Sequence, residues 1–111
     1  MIAISNDMSV PLTFVECHNL IGSFHGNSYE KNVAADHYSA FLHTHPEGKM
    51  EGSFGAIAYS CEINHITYYV SFAWANPYKL TGAGLKSNTI CGNISLRAPV
   101  DLKSFAEMAF D

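Results

Sequence analysis

Charge is what this sequence has least of. Asp, Glu, Lys and Arg make up 14% of its 111 residues, well short of the roughly one quarter that is usual in soluble domains. The charges present are skewed, with six Lys and Arg against ten Asp and Glu for a net charge of -4. A chain of that sign has no electrostatic pull toward phosphate backbones or anionic bilayers, so nucleic acid and membrane surfaces are not expected as partners. Cysteine is scarce too. Cys17, Cys61 and Cys91 are odd in number and widely spaced, which fits reduced thiols better than a disulfide framework and makes a cytoplasmic location the expectation. No apolar run reaches the ~20 residues of a spanning helix. MIAISNDMSVPLTF lacks the basic and apolar regions of a secretory signal, so the Asn93 sequon is expected to carry no sugar. Gly82-Ala83-Gly84 is followed by no Gly-Lys-Ser/Thr element and no helix, which excludes a phosphate cradle.

What is abundant is apolar: 48% of the residues are hydrophobic and 13% aromatic. A chain of this length buries roughly 65% of its unfolded surface without obligatory staples, so residues 1–111 are expected to form a single domain. Its periodicity is that of strands. In ITYYVSFAWA, Ile66, Tyr68, Val70, Phe72 and Trp74 share one face and Thr67, Tyr69, Ser71, Ala73 and Ala75 the other. The run from Phe54 to Cys61 alternates likewise, and its small residues leave room for a close neighbour. Glu62 to His65 is expected to turn between these two strands, and Asn76-Pro77 to end the second.

Around that centre, Val10 to His18 and Thr89 to Leu96 have β-like composition. Pro11 confines the first of these to a strand start or an edge. Asn19 to Gly26 reads as a strand bent or bulged at Gly22. Asn6-Asp7 reads as a turn, Asn27 to Asp36 as a loop with a short strand near Asn32, and Lys79 to Asn88 as an exposed mobile loop. Leu102, Phe105, Ala106 and Ala109 fall at helical spacing after Asp101. The fold class expected is all-β, an antiparallel β-sandwich with a short C-terminal helix.

The centre also carries a resemblance. AFLHTHPEGKMEGSFGAIAY, followed by AWANPY, is similar to the jasmonate-induced protein family of plants, whose members show an AFLHxH-x-x-G-x-x-x-G-S-x-G-A-x-x-Y block and then a Trp-x-x-Pro-Tyr-like element. The positions that match are Ala40 to His43, His45, Gly48, Gly52, Ser53, Gly55, Ala56 and Tyr59, then Ala73, Trp74, Asn76, Pro77 and Tyr78. The block more remotely resembles actinoporin-like β-sandwiches. The resemblance implies a plant stress- or defence-related protein without enzymatic activity. Actinoporin-like pore formers use an amphipathic N-terminal helix, which has no counterpart in MIAISNDMSVPLTF, so pore formation is not expected.

The histidines raise a different chemistry. On a strand His43 and His45 project to one face about 6.5 Å apart, close enough to share a zinc or copper ion. His-x-His-Pro with Ser53 also begins the pattern of zinc-dependent deubiquitinating peptidases, but Ala56 stands where that pattern needs a carboxylate, which removes a ligand and the activated water. Cys17 and His18 point to opposite faces of a strand and form no dyad, so no catalytic residue is expected. The candidate ligand-binding residues are His43, His45, Tyr69, Trp74, Asn76 and Tyr78, converging at one end of the sandwich. Trp74 has a competing reading as core, because it alternates inward with Val70 and Phe72.

The expected function is therefore binding without catalysis, with a carbohydrate or a lipid head group as the favoured ligand. Rival readings are a metal-binding protein using His43 and His45, a lectin-like protein and a membrane-active, actinoporin-like protein. Exposed β-edges are compatible with a homodimer.

Overall fold

A computed structural model describes residues 2–25, 32–44, 52–76, 89–98 and 101–110. In chain order the elements are β1 (Ile2–Asn6), β2 (Leu12–Ile21), β3 (Ser23–Phe24), β4 (Asn32–Val33), β5 (His37–Phe41), β6 (His43–Thr44), β7 (Ser53–Ile63), β8 (Ile66–Asn76), β9 (Thr89–Ser95) and α1 (Leu102–Phe110). The fold is antiparallel β with a short C-terminal helix, as the periodicity predicts. A five-stranded sheet in the order β4-β2-β7-β8-β9 forms the body, and the pairs β1-β5 and β3-β6 form two further small sheets. The second layer is thus assembled from two short ribbons.

The hairpin of β7 and β8 sets the frame. It pairs without a register break from Ser53↔Asn76 to Ile63↔Ile66, so the turn is shorter than the Glu62 to His65 segment expected. Only Asn64 and His65 lie between the strands, with φ of 52° and 66°. Two left-handed residues give the connection whose twist matches that of its strands. β2 follows the other side of β7 with register shifts at Phe14/Glu16 and Asn19/Ile21. It ends at Gly22, where φ is 88° and a Cβ would sit 2.0 Å from the Thr44 carbonyl oxygen. Only glycine tolerates both conditions, and the bend it permits delivers β3 to β6.

Side-chain alternation gives the sheet two different faces. One carries Ile57, Tyr59, Cys61 and Trp74, packed with Ile4, Leu12, Val33 and Phe41. The other carries Phe54, Ala56, Ala58, Ala73 and Ala75, against which α1 lays Leu102 and Ala106. The room left by the alanines is filled by this helix. Asp101 caps it, accepting from the Ser104 amide at 3.0 Å and the Ser104 hydroxyl at 2.6 Å. The hydroxyl bond, then the amide bond, lower the Asp101 pKa, because both stabilise the carboxylate.

Asn6 departs from its reading as a turn residue. It ends β1 and is 2% exposed. Its Nδ2 donates toward the carbonyls of Val10, Val33 and Ala34 at 2.9, 3.1 and 3.2 Å, and its Oδ1 accepts from the Met8 amide at 3.1 Å. One amide thereby ties β1 to the segments leading into β2 and out of β4. Asn6→Ala should lower stability by about 2–3 kcal/mol, because it strands buried carbonyls. The exposed Asp7→Ala should stay within about 0.5 kcal/mol in the same urea titration, and equal effects would contradict this account.

Candidate functional site

At the end of the sheet where β8 finishes and β9 begins lies a cleft of about 280 Å³. Ile2, Trp74 and Ile90 form apolar walls, and His43, Ser53, Asn76 and Thr89 supply polar groups. Each arrives for a structural reason. The register pairs Trp74 with Ile90 and places Ser53 opposite Asn76. The pairing of β1 with β5 carries Ile2 to Phe41, two residues before His43.

Trp74 organises this end. It faces Gly55 across the hairpin, and a Cβ on Gly55 would lie 2.9 Å from Trp74 Cζ2 and 2.8 Å from the His18 carbonyl oxygen. The indole therefore lies against bare backbone. Phe24, Phe41 and His43 meet it edge-on at centroid distances of 5.8, 5.9 and 5.0 Å, the arrangement that ring quadrupoles favour. The indole Nε1 is buried and has no hydrogen-bond partner among the described residues. Trp74 is thus both core and cleft wall.

His43 is held from both sides and is 5% exposed. Its Nδ1 lies 2.5 Å from Ser53 Oγ and its Nε2 3.0 Å from Asn19 Oδ1. The His43 carbonyl oxygen, 3.0 Å from Ser53 Oγ, is an alternative acceptor for the same hydroxyl hydrogen. Burial lowers the His43 pKa to about 4, so the ring is neutral at ordinary pH. The cleft then carries no formal charge on any described residue that lines it.

Ser53, His43 and Asn19 stand in the order of nucleophile, base and orienting group. The Ser53 hydroxyl is buried, and its single hydrogen is shared between two acceptors, His43 Nδ1 and the His43 carbonyl oxygen. Burial also raises the Cys17 and Cys61 pKa values, keeping both thiols protonated and weakly nucleophilic. As a metal ligand, His43 would have to give up its bond to Ser53 or to Asn19. Among the described residues no three His, Cys, Asp or Glu side chains converge.

Of the six candidate residues, His43, Trp74 and Asn76 line this cleft. Tyr69 does not join them: it is half-buried five residues earlier on β8, facing the opposite side of the sheet from Trp74. His45 and Tyr78 lie outside the described residues, as does the loop expected from Lys79 to Asn88. Asn19, Ile2, Thr89 and Ile90 were not foreseen. Ile2 and Ile90 reach the cleft only through strand pairing, for which their local sequence has no marker. Ser53 had a signal, because it is part of the Gly-Ser-x-Gly block.

The neutrality of His43 carries a pH dependence. Its folded pKa lies below the ordinary value of 6.5, so the unfolded chain binds the proton more readily and protonation favours unfolding. The stability contributed by the neutral ring is complete above pH 6.5 and is lost as pH falls toward about 4. The melting temperature of the wild type should drop over this window, and His43→Gln should flatten the drop; an unchanged profile would count against the buried neutral ring. Gly55→Ala should push the indole off the sheet, lowering stability by about 1–3 kcal/mol and shifting the tryptophan emission. Unchanged emission would mean that the close approach is not needed.

Comparison with known proteins places this geometry among relatives. The profile of the Nakanori-like protein family matches residues 1–93. A 23 kDa jasmonate-induced protein of Hordeum vulgare is 29% identical over 75 residues, which are 66% of this chain and 36% of that protein. The crystal structure of the lipid binding protein Nakanori superposes with a TM-score of 0.66 at 20% identity, covering 86% of this chain and 43% of that one. The chain thus spans between about a third and a half of the length of the relatives it matches.

Proposed function

The chain belongs to the Nakanori-like family, and from that premise we propose that it is a binding protein for lipid head groups carrying no net charge, with the cleft at His43, Trp74 and Asn76 as the contact. The observation that supports this most directly is the chemistry of the lining. Apolar walls from Ile2, Trp74 and Ile90 alternate with the neutral polar groups of His43, Ser53, Asn76 and Thr89, the composition of sites that orient a small ligand by a few hydrogen bonds. A second support is that Nakanori, the solved relative, is a lipid binding protein. The net charge of -4 disfavours approach to an anionic bilayer, which leaves zwitterionic or uncharged head groups.

The reading is one of binding without turnover, and the name of the barley relative makes a stress-induced role its natural setting. A glycan reading rests on the same neutral lining, since sugar hydroxyls and lipid head-group oxygens present the same hydrogen-bonding groups. The two differ in the apolar partner, and the Ile2, Trp74 and Ile90 walls favour a ligand with a hydrocarbon side.

Co-sedimentation with liposomes tests the proposal. Zwitterionic vesicles should retain the protein and vesicles rich in anionic lipid should retain less of it, with the preference preserved at high salt. Asn76→Ala, at an exposed position on the cleft rim, should weaken retention about five-fold or more, roughly one lost hydrogen bond, with unchanged melting. Retention that grows with anionic lipid content, or indifference to Asn76→Ala, would refute the assignment.

A further inference from the structure

Ser53 has one hydroxyl hydrogen and two acceptors within its reach, His43 Nδ1 at 2.5 Å and the His43 carbonyl oxygen at 3.0 Å. The neutral imidazole also carries one hydrogen. With that hydrogen on Nε2, where Asn19 Oδ1 accepts it at 3.0 Å, Nδ1 is a bare lone pair that takes the hydroxyl hydrogen. With it on Nδ1, the ring donates to Ser53 Oγ and the hydroxyl hydrogen turns to the carbonyl oxygen, while the Asn19 amide serves Nε2 through its NH2 group. An imidazolium repeats this second arrangement at Ser53. In each state the hydroxyl hydrogen is used within the protein, and Ser53 Oγ keeps only lone pairs for anything that enters the cleft.

The position of Ser53 makes that restriction selective. Ser53 and His43 both line the cleft, and Ser53 stands directly opposite Asn76 across the hairpin, which puts the two Cβ atoms about 5 Å apart. Ser53 is 4% exposed, so a ligand group that meets it has left water behind, and a polar pair left unmade there costs more than one at the surface. A quaternary ammonium has no hydrogen to give Ser53. A primary ammonium has three, but its charge would enter a cleft with no carboxylate on any described lining residue, at a large desolvation cost. An uncharged O–H group meets both conditions.

We propose that the cleft takes an uncharged, hydroxyl-bearing unit of glycosyl or glyceryl type, one of whose O–H groups donates to Ser53 Oγ while Asn76 holds a neighbouring oxygen. Ile2, Trp74 and Ile90 then meet its C–H faces and the hydrocarbon beyond. The inference rests on the lipid-binding reading of the same cleft and narrows it from neutral head groups in general to those with a hydroxyl donor.

Co-sedimentation separates the two. Phosphatidylcholine vesicles are compared alone, with a monohexosyl diacylglycerol, and with the same glycolipid after O-methylation, which keeps its oxygen acceptors and removes every O–H. Retention on the native glycolipid should be about five-fold or more above that on either other vesicle. Ser53→Ala should abolish the preference for native over O-methylated lipid, a ratio that a general loosening of the fold would not change; if this variant fails to fold, the wild-type ratio decides by itself. Equal retention of the native and O-methylated forms overturns the inference and leaves the lipid reading standing. Trp74 is the one tryptophan of the chain, so its emission reports on a soluble methyl hexoside added without vesicles. An emission change with that sugar but not with its O-methylated form, and no vesicle retention, would uphold the hydroxyl assignment and overturn the lipid reading. No retention on any vesicle and no emission change would overturn both.

Discussion

The indole of Trp74 lies across Gly55, and most of what is specific to this molecule depends on that contact. A Cβ at Gly55 would collide with the indole and with the His18 carbonyl together, so the ring can lie this close only because the facing residue has no side chain. Phe24 and Phe41, one from each ribbon, pack on the ring and on each other, which fixes both ribbons to the large sheet. His43 then stands between the ring and the hydroxyl of Ser53. The cleft is therefore bounded by a tryptophan whose position the sheet dictates, and its polar rim inherits that rigidity.

The two faces of the sheet solve the burial problem differently. Large side chains on the Trp74 face interlock with short strands, each too small to be stable alone. Small side chains on the other face let a nine-residue helix approach closely, with Leu102 and Ala106 as its contact. The sequence separates these solutions by alternation. From Gly55 to Cys61, Ile57, Tyr59 and Cys61 belong to the first face and Ala56 and Ala58 to the second.

That alternation is why so much of the fold was legible. Ten residues of period two identify β8, glycine with φ of 88° marks the bend after β2, and Asp101 with Ser104 marks the start of α1. What period two cannot convey is which distant segments meet. Asn6 looked like a turn residue because its local neighbours are polar, yet its amide bonds to carbonyls 27 and 28 positions away. Ile2 and Ile90 reach the cleft by the same kind of long-range pairing. Tyr69 illustrates the converse: it is five residues from Trp74, and an odd separation on a strand puts it on the opposite face. The histidine of the Ala-Phe-Leu-His block drew attention to the right place, while the two bonds that occupy its ring could be seen only in three dimensions.

The scarcity of charge with which the sequence opens meets the cleft in a physical way. A buried imidazole pays a desolvation cost when it is protonated, and here that cost is large enough to lower the pKa of His43 to about 4. A nearby carboxylate would have offset the cost and restored the charge. Ala56, at the position where a hydrolase pattern would put that carboxylate, instead lies fully buried under the helix, on the face opposite Trp74. Ala56 thus seats the helix, while His43, packed against Trp74 on the other face, owes its neutrality to burial. A neutral donor and acceptor beside an indole makes a surface on which hydrogen bonding and apolar contact select a ligand, and net charge does not.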